Sequence, residues 1–325
     1  GVEVEDGVVK VEGKEVSKVM VEGKEFFDGD SKMAVKNIPA DAVDKVEVLK
    51  NHNDVEMMKG FGNDDDNIAL NIKLKQGKKE FWFGDVNVSG GPDKRYLANP
   101  NLFYYSPKKS LNVIGNANTI GDAPFTMQDY FRFSGGMKNL VRLQGASINS
   151  NSNDIGLMMM RNNTAKDIAT LFGGLNYNWN PKKNWSFNGF VISNNNETDF
   201  EENIFRQYQE SGFQERQNNL STQKINSQLF KFSGMYRPGR DFQTEYNLYI
   251  KQGGQDQSTG VQSRFFNNSW DLSEAIDQTS LSVRQDLLAY WTIKPEHIVS
   301  LEGSIELAEN QRNYLTAANG DLFMD

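Results

Sequence analysis

The sequence contains no cysteine, only two histidines, His52 and His297, and no long apolar run. The absence of cysteine excludes disulfides, zinc-thiolate sites and cysteine nucleophiles, and it suits a chain that passes through an oxidising periplasm. Two histidines far apart in sequence argue against a multi-histidine metal site. A transmembrane helix needs roughly 18 consecutive apolar residues. No window approaches that length, so helical membrane spans are excluded.

Several functional motifs are also missing. There is no glycine-rich phosphate loop, nucleophile elbow or His-Glu-x-x-His zinc motif, which indicates a non-enzyme without a cofactor. The net charge of −8 and the lack of a basic stripe argue against nucleic-acid binding. The sequence starts at Gly1 without the basic and apolar regions of a signal peptide. For an exported protein, this predicts processing or truncation upstream.

What the sequence does contain is typical of a transmembrane β-barrel. Apolar residues make up only 38% of the chain, as expected when only every second strand residue meets lipid. The composition changes near Lys78. The earlier part is dense in Glu, Asp and Lys and has no arginine, whereas the later part has alternating runs rich in Asn, Gln and aromatic residues. We therefore expect a small domain at residues 1–78 and barrel strands at 79–325.

Short alternating runs and turns predict a mixed α/β fold for the first domain. Val8–Val11 and Val16–Val21 flank the turn Glu12-Gly13, which indicates a hairpin. Asp30-Ser31 is a suitable cap for a short helix that ends before Pro39, because proline lacks the amide donor and disfavours helix at the preceding residue. The other predicted elements are a helical turn at Asp41–Lys45, a strand at Val46–Leu49 and a strand at Ile68–Leu74.

Four tight, polar, proline-containing turns organise the second part. They are Ser106-Pro107-Lys108-Lys109, Asn180-Pro181-Lys182-Lys183-Asn184, Pro238-Gly239-Arg240-Asp241 and Lys294-Pro295-Glu296-His297. Long polar connections are expected at 119–167, 194–226 and 253–278. Outer-membrane barrels have short periplasmic turns and long extracellular loops. This predicts that the proline turns face the periplasm and the Asn-rich connections face the outside.

Side-chain alternation supports membrane-spanning strands, because successive residues of a strand point to opposite faces. In one strand, Phe242, Thr244, Tyr246, Leu248 and Ile250 would face lipid, while Gln243, Glu245, Asn247 and Lys251 would face the lumen. Aromatic residues beside the proline turns suit an interfacial girdle. A soluble β-sandwich or propeller is the alternative, but strands this long with loops lengthening on one side are unusual there.

Nine antiparallel strands are predicted, an odd number that leaves the barrel incomplete. An open sheet edge in lipid would leave backbone groups unpaired, so we expect residues outside this sequence to complete the barrel. The predicted strands span residues 80–90, 96–105, 111–119, 168–180, 185–194, 228–237, 242–252, 281–293 and 298–309.

The order of motifs in the first domain resembles the plug of Bacteroidota-type TonB-dependent receptor-like outer-membrane proteins. Gly1-Val2-Glu3-Val4 resembles the end of the family's Leu-Pro-Gly-Val stretch. The segment 19–27, with Val21-Glu22-Gly23-Lys24, is similar to its Val-Leu-Val-Asp-Gly-Lys segment. The later motifs follow in the family's order: Asp28-Gly29-Asp30, Ile38-Pro39-Ala40-Asp41-Ala42-Val43 and Val46-Glu47-Val48.

This resemblance implies a barrel of about 22 strands, of which about nine are present, occluded by a plug at residues 1–78. It implies outer-membrane import of an iron chelate, oligosaccharide or peptide, with outer-membrane lipids, TonB and a surface lipoprotein as partners. The plug and short turns would face the periplasm. The alternative is a plugged barrel that serves as a structural subunit of an outer-membrane assembly or secretion machine.

Two segments are candidate contact sites for a ligand or partner. Asp64, Asp65 and Asp66 offer oxygen ligands for calcium, but the spacing does not match an EF-hand loop, and a solvated turn is the alternative. The turn Asp28-Gly29-Asp30 is interpreted in the same way. Leu157, Met158, Met159, Met160 and Arg161 form either an adaptable apolar contact or a loop packed over the plug.

Charged residues expected in the lumen are candidates for guiding a substrate, with plug-to-wall contacts as the alternative role. They are Lys231, Arg237, Glu245, Lys251, Arg284, Asp286, Glu302 and Glu306.

Overall fold

The computed structural model describes residues 2–5, 8–53, 68–77, 80, 82–122, 124, 165–209, 214–265, 268–294 and 297–320. The described chain forms two β-sheets, one of six strands within residues 2–74 and one of nine strands within residues 82–320. Each sheet is built from its own part of the sequence, on either side of the composition change near Lys78.

The N-terminal domain contains the six-stranded sheet and one short helix. Its strands are β1 (Val2–Glu5), β2 (Val8–Val11), β3 (Lys14–Val21), β4 (Lys24–Glu25), β5 (Val43–Lys50) and β6 (Ile68–Leu74), in the order β1-β2-β3-β6-β5 with β4 on β3. Strand β6 lies between β3, to which it is parallel, and β5, to which it is antiparallel. The last strand of the domain therefore fills its centre.

Helix α1 (Ser31–Asn37) begins at the predicted cap. The Asp30 carboxylate accepts a hydrogen bond of 2.7 Å from the Met33 amide, which satisfies one free donor of the first turn. A 3-10 turn at Ala40–Ala42 is shorter than the predicted helical turn, because β5 already starts at Val43. Among the described residues, no helix is both long and apolar enough to cross a bilayer.

The nine-stranded sheet is antiparallel throughout, and each strand pairs with its neighbours in sequence. Tight turns connect most of its strands at one end. The strands are β7 (Trp82–Gly90), β8 (Tyr96–Tyr105), β9 (Lys109–Asn118), β10 (Ala165–Lys182), β11 (Trp185–Gln207), β12 (Gln214–Tyr236), β13 (Phe242–Phe265), β14 (Asn268–Lys294) and β15 (His297–Gly320).

The two faces of this sheet differ in polarity as predicted. On β10, Leu171, Tyr177 and Trp179 are exposed, whereas Asn176 and Asn178 are buried on the opposite face. The other strands repeat this pattern: Phe230 and Phe232 are exposed on β12, and Lys231 between them is buried. We call the face with the buried Asn and Lys side chains the inner face and the apolar face the outer face.

Two of the predicted long connections are wrong. Residues 194–226 and 253–278 are mostly strand, because β11 runs to Gln207, β12 starts at Gln214, and β13 and β14 are separated only by residues 266–267. Polar residues occupy both faces of these extensions, so the alternation that marks a strand is lost although the hydrogen-bond ladder continues. The predicted connection 119–167 falls largely outside the described residues, and β10 begins at its end.

The N-terminal domain packs on the inner face of β7–β12. One buried cluster contains Val19, Phe26 and Phe27 of the domain together with Phe103, Ile114, Phe190 and other inner-face residues of the sheet. The domain and the sheet thus share one hydrophobic core. We call the nine-stranded sheet β7–β15 the wall. The contact places the turn after β4 against the wall and forms the candidate site.

Candidate functional site

A tight turn at Phe26–Asp30 carries the N-terminal domain's main contact with the sheet. Phe27, Asp28 and Gly29 all have positive φ, at 42°, 58° and 82°. Backbone hydrogen bonds from the Gly29 amide to the Phe26 carbonyl (2.8 Å) and from the Asp30 amide to the Phe27 carbonyl (3.2 Å) close the turn. Left-handed conformations are unfavourable for residues with a side chain. Their occurrence at Phe27 and Asp28 shows that surrounding contacts hold the turn in place.

Gly29 fits this turn because it has no side chain. A Cβ at this position would lie 2.6 Å from Lys18 Cγ and 3.2 Å from Lys18 Cα. We expect Gly29→Ala to shift the turn and lower the stability of the N-terminal domain by at least about 1 kcal/mol, from the left-handed backbone alone. Because residues 1–78 contain no tryptophan, this is measured by limited proteolysis of the full-length protein across a denaturant series, scored as cleavage within residues 1–78. Gly23→Ala is the matched control, because its φ is 73° but nothing lies within 4 Å of the added Cβ. Equal losses for both variants would show that backbone strain alone matters.

Two phenylalanines of the turn are fully buried against the sheet. The rings of Phe26 and Phe27 are 5.0 Å apart with an edge-to-face geometry, and Phe26 is 6.3 Å from Phe103 of β8. Phe27 lies over Gly174 of β10, where an added Cβ would be 3.1 Å from its ring. Gly174 therefore leaves the space that the Phe27 ring fills. Fully burying two such rings contributes several kcal/mol to docking.

Beside these rings, Asp28 forms a buried ion pair with Lys231 of β12. The side chain of Lys231 is 8% exposed and that of Asp28 is 16% exposed. The Lys231 ammonium also lies 5.3 Å from the ring centroid of Tyr249 on β13, within the range of a cation–π contact. The sequence positions of Asp28 and Lys231 differ by 203. This ion pair connects the N-terminal domain to β12 of the nine-stranded sheet.

Two hydrogen bonds to backbone carbonyls extend the contact towards the turn end of the sheet. Lys24 Nζ donates to the Ser106 carbonyl at 2.6 Å, and Asn178 Nδ2 donates to the Glu25 carbonyl at 3.0 Å. Burial lowers the pKa of the Lys24 ammonium, and the nearby Glu22 opposes this shift. Both bonds satisfy carbonyl groups that would otherwise lose water when the domain docks.

The inner face of the sheet carries a row of polar side chains, several of which are hydrogen-bonded to a neighbour on the next strand. Cross-strand registers place its members side by side on β9 to β15: Ser110, Asn178, Asn188, Ser233, Asn247, Asp286 and Ser304. Asn178 donates to Ser110 (2.9 Å), Asn188 to Asn178, Ser233 to Asn247, and Ser304 to Asp286 (2.6 Å). Apart from Asp286, these side chains are amides and hydroxyls, which donate and accept hydrogen bonds without a net charge. Water can replace the hydrogen bonds that such a surface makes to the N-terminal domain, so undocking has a modest free-energy cost.

The side chains of the site dock the N-terminal domain onto the sheet. Across the described residues, no group of three or more His, Cys, Asp or Glu side chains is placed to hold a metal ion. Many inner-face side chains are engaged in hydrogen bonds and ion pairs with one another and with the N-terminal domain. The arrangement therefore holds two parts of the chain together through a mixed apolar and polar interface.

No protein-family model matches this sequence, and no curated protein matches it. Several solved structures resemble the fold. The copper transporter OprC is 10% identical with a TM-score of 0.25, and this chain aligns over 99% of its own length and 56% of OprC. The ferric-catecholate import receptor Fiu from E. coli K12 is 9% identical with a TM-score of 0.28, over 98% and 63% of the two chains. The ferric yersiniabactin uptake receptor FyuA from Yersinia pestis is 9% identical with a TM-score of 0.25, over 97% and 57%.

The chain spans little more than half the length of these proteins.

The predicted contact residues Asp64, Asp65, Asp66, Leu157, Met158, Met159, Met160 and Arg161 lie outside the described residues. The solvated-turn interpretation of Asp28-Gly29-Asp30 is wrong, because Asp28 pairs with Lys231 and Asp30 is buried as the cap of α1. The adjoining Phe26-Phe27 is the sequence signal for burial, since two aromatic rings at a solvated turn would be unusual.

The predicted inner-face charges include one direct contact to the N-terminal domain, that of Lys231. Others bond within the sheet. Arg284 donates to Asp286 at 2.9 Å, Tyr290 donates to Glu302 at 3.0 Å, and Ser282 donates to Glu306 at 2.9 Å. Within this set, Lys231 thus contacts the N-terminal domain, whereas Arg284, Glu302 and Glu306 have partners within the sheet.

Proposed function

We propose that this chain belongs to an outer-membrane receptor that imports a nutrient through a β-barrel, with the N-terminal domain as its plug. One observation carries the proposal. The same strands present an apolar band on the outer face and a polar layer, docked to the N-terminal domain, on the inner face. A soluble sandwich would bury the apolar face, whereas here that face is free and the polar face of β7–β12 is covered.

The apolar band has the height of a membrane. Cross-strand registers align it in rows, from Phe242, Trp291 and Val299 at the turn end to Val191, Phe230, Ile250, Val283 and Leu307. From Phe242 to Ile250 it measures about 26 Å along the strand at ~3.3 Å per residue. A tilt of roughly 35–45° shortens this to about 20 Å, close to the roughly 25 Å band of transmembrane barrels.

Aromatic rings mark the turn end of this band. Trp185 lies 4.4 Å from Tyr236, and Phe242 lies 5.2 Å from Trp291, measured between ring centroids. Amphipathic rings favour the headgroup level. Polar groups within the band are satisfied by the sheet: Thr244 donates to the Leu288 carbonyl at 2.9 Å and Tyr246 donates to Gln285 at 3.1 Å. This arrangement suits lipid, where unpaired polar groups are costly.

The orientation follows from the strand extensions. Short proline turns lie at the aromatic end, and β11–β14 extend far beyond the band at the other end. We assign the turns to the periplasm and the extensions to the outside. The plug then contacts the wall at the level of the membrane, and its β-strands are available from the periplasmic side for coupling to TonB. Further strands would pair with the edges of β7 and β15 to close the barrel.

Import requires the plug to move relative to the wall, and a chain without cysteine allows a clean test. Cysteines at Asp28 and Lys231 in the full-length protein can be joined by a bifunctional thiol reagent with a reducible linker. We expect cross-linked cells to lose uptake of the transported nutrient and to regain it after reduction. Cysteines at Glu197 and Lys224, which pair within the sheet, are the matched control and should leave uptake unchanged.

The nutrient is identified first by competitive growth of a deletion strain against its parent on iron chelates, oligosaccharides and peptides. Unchanged growth on every large solute would contradict import. Recovery of the protein in fixed stoichiometry with an assembly or secretion barrel would then indicate the structural role. In either role, we propose that the chain has no catalytic activity.

A further inference from the structure

An exposed patch on the outer face, far above the apolar band, has a composition that points to a ligand. It consists of Phe205 on β11, Arg216 on β12 and Arg264 on β13, with Asn203, Asn218 and Gln262 in the adjacent row. We call these six residues the outer arginine patch. They line a shallow cleft of about 620 Å³. Its position relative to the membrane rests on the proposed function, but the patch itself does not.

The two arginines lie directly opposite each other on neighbouring strands. Like charges in this position are destabilising. Within the described residues, neither guanidinium forms an ion pair with a carboxylate, and Arg216 instead lies 5.9 Å from the centroid of the Phe205 ring. Two adjacent guanidinium groups offer fork-shaped donors that match a carboxylate or a phosphate. Binding of an anion would relieve the repulsion between them.

The rest of the patch is suited to a sugar. The side chain of Phe205 is 54% exposed, and such a ring offers a flat apolar surface to the C–H face of a pyranose. Asn203, Asn218 and Gln262 supply amide donors and acceptors for hydroxyl groups, with Asn218 donating to Asn203 at 2.7 Å. An aromatic ring, amides and paired arginines together fit an anionic glycan better than a simple anion.

A hydrogen-bonded network centred on the buried Glu215, on the opposite face, stiffens the strand ends that carry the patch. Glu215 accepts hydrogen bonds from Ser263 (2.8 Å), Arg206 (3.1 Å) and Tyr208 (3.1 Å). These residues alternate along the strands with Phe205, Arg216 and Arg264. Since neighbouring residues of a strand point to opposite faces, the network fixes the backbone directly behind the patch. A fixed backbone lowers the entropy cost of binding.

The height of the outer arginine patch above the apolar band favours a glycan over a lipid headgroup as its ligand. Ile250 ends the apolar band on β13, and Gln262 lies on the same face about 40 Å farther along the strand at ~3.3 Å per residue. With the strand tilted by roughly 45°, Gln262 lies about 28 Å above the apolar band along the membrane normal, which is beyond the headgroup layer. Between them lies a row with three carboxylates, Glu197, Asp256 and Asp277, and one cation, Lys224. Asp271 lies beside Gln262 at the edge of the patch. The two guanidinium groups are therefore the part of this surface that attracts anions, and the row below repels them.

We propose that the outer arginine patch binds an anionic glycan at the cell surface, with Arg216 and Arg264 on its acidic group and Phe205 against a sugar ring. The test uses the purified full-length protein in detergent and oligogalacturonate as the carboxylated probe, with binding measured by thermophoresis. Binding to the purified protein does not depend on transport, so its failure and the failure of import are distinguishable.

We expect the double variant R216Q/R264Q to lose at least tenfold in affinity and Phe205→Ala to lose severalfold. Lys224→Gln, on the same face but paired with Glu197 at 3.2 Å, is the matched control and should leave affinity unchanged. Neutral dextran should not bind. Equal affinities of wild type and R216Q/R264Q would overturn the proposal. Equal binding of inorganic polyphosphate with no effect of Phe205→Ala would also overturn it, because the patch would then be a general anion site.

Discussion

Replacing Lys231 with methionine should release the N-terminal domain from the wall. The substitution keeps most of the aliphatic volume but leaves the carboxylate of Asp28, which is 16% exposed, without its ammonium partner. Removing one member of a buried ion pair costs about 3–5 kcal/mol, because an uncompensated charge remains buried. The equilibrium constant for docking should fall by a factor of roughly 10² to 4 × 10³. Limited proteolysis of the full-length protein in its membrane measures this as faster cleavage within residues 1–78.

The same buried pair provides a double-mutant cycle. Asp28→Asn preserves the left-handed backbone, which asparagine tolerates, and should also weaken docking. The double variant D28N/K231M should recover much of the loss, because no charge remains buried. Lys224→Met removes an exposed cation whose side chain is 59% accessible and is the matched control. If Lys231→Met is cleaved no faster than Lys224→Met, the ion pair does not hold the domain.

The sequence predicts strand positions well where one face of the sheet is apolar and the other polar. Within the apolar band, Phe230, Lys231 and Phe232 alternate by face, and the structure confirms both the strand and the side-chain directions. Beyond the band, the alternation disappears because polar residues occupy both faces. Glu201 and Glu202, one on each face of β11, are both exposed. Residues 194–226 therefore looked like a loop although they form most of a hairpin.

The candidate site was less predictable because its members are distant in sequence. Alternation along β10 places Asn176 and Asn178 on the inner face, but only the cross-strand register shows that Asn178, Asn188 and Ser110 form one layer. Likewise, Asp28 is one of two acidic residues in a turn that looks solvated. Its partner Lys231 becomes apparent only when the domain is placed against β12. Local patterns specify which face a side chain occupies, whereas long-range packing specifies its partner.

A charge placed in the middle of the outer face should disrupt folding of the wall in lipid. Leu248 lies inside the apolar band, one row from its central residue Tyr246 and between Phe232 and Gln285 on the neighbouring strands. An arginine at the midplane of a transmembrane barrel costs about 2–4 kcal/mol, and the cost falls to about 0–1 kcal/mol near the interfaces. We expect Leu248→Arg to lower the unfolding free energy of the full-length protein in lipid vesicles by this larger amount, measured by denaturant titration.

Ser258→Arg is the matched control for Leu248→Arg. It introduces the same charge on the same strand and face, beyond the band, where Ser258 pairs with Thr222 and Ala275. Because water surrounds that row, its arginine should change stability by less than about 1 kcal/mol. A soluble sheet whose outer face met water would tolerate both arginines similarly. Equal effects of the two variants would therefore contradict the membrane assignment, and with it the import proposal, whereas a difference that follows depth supports a lipid-facing band.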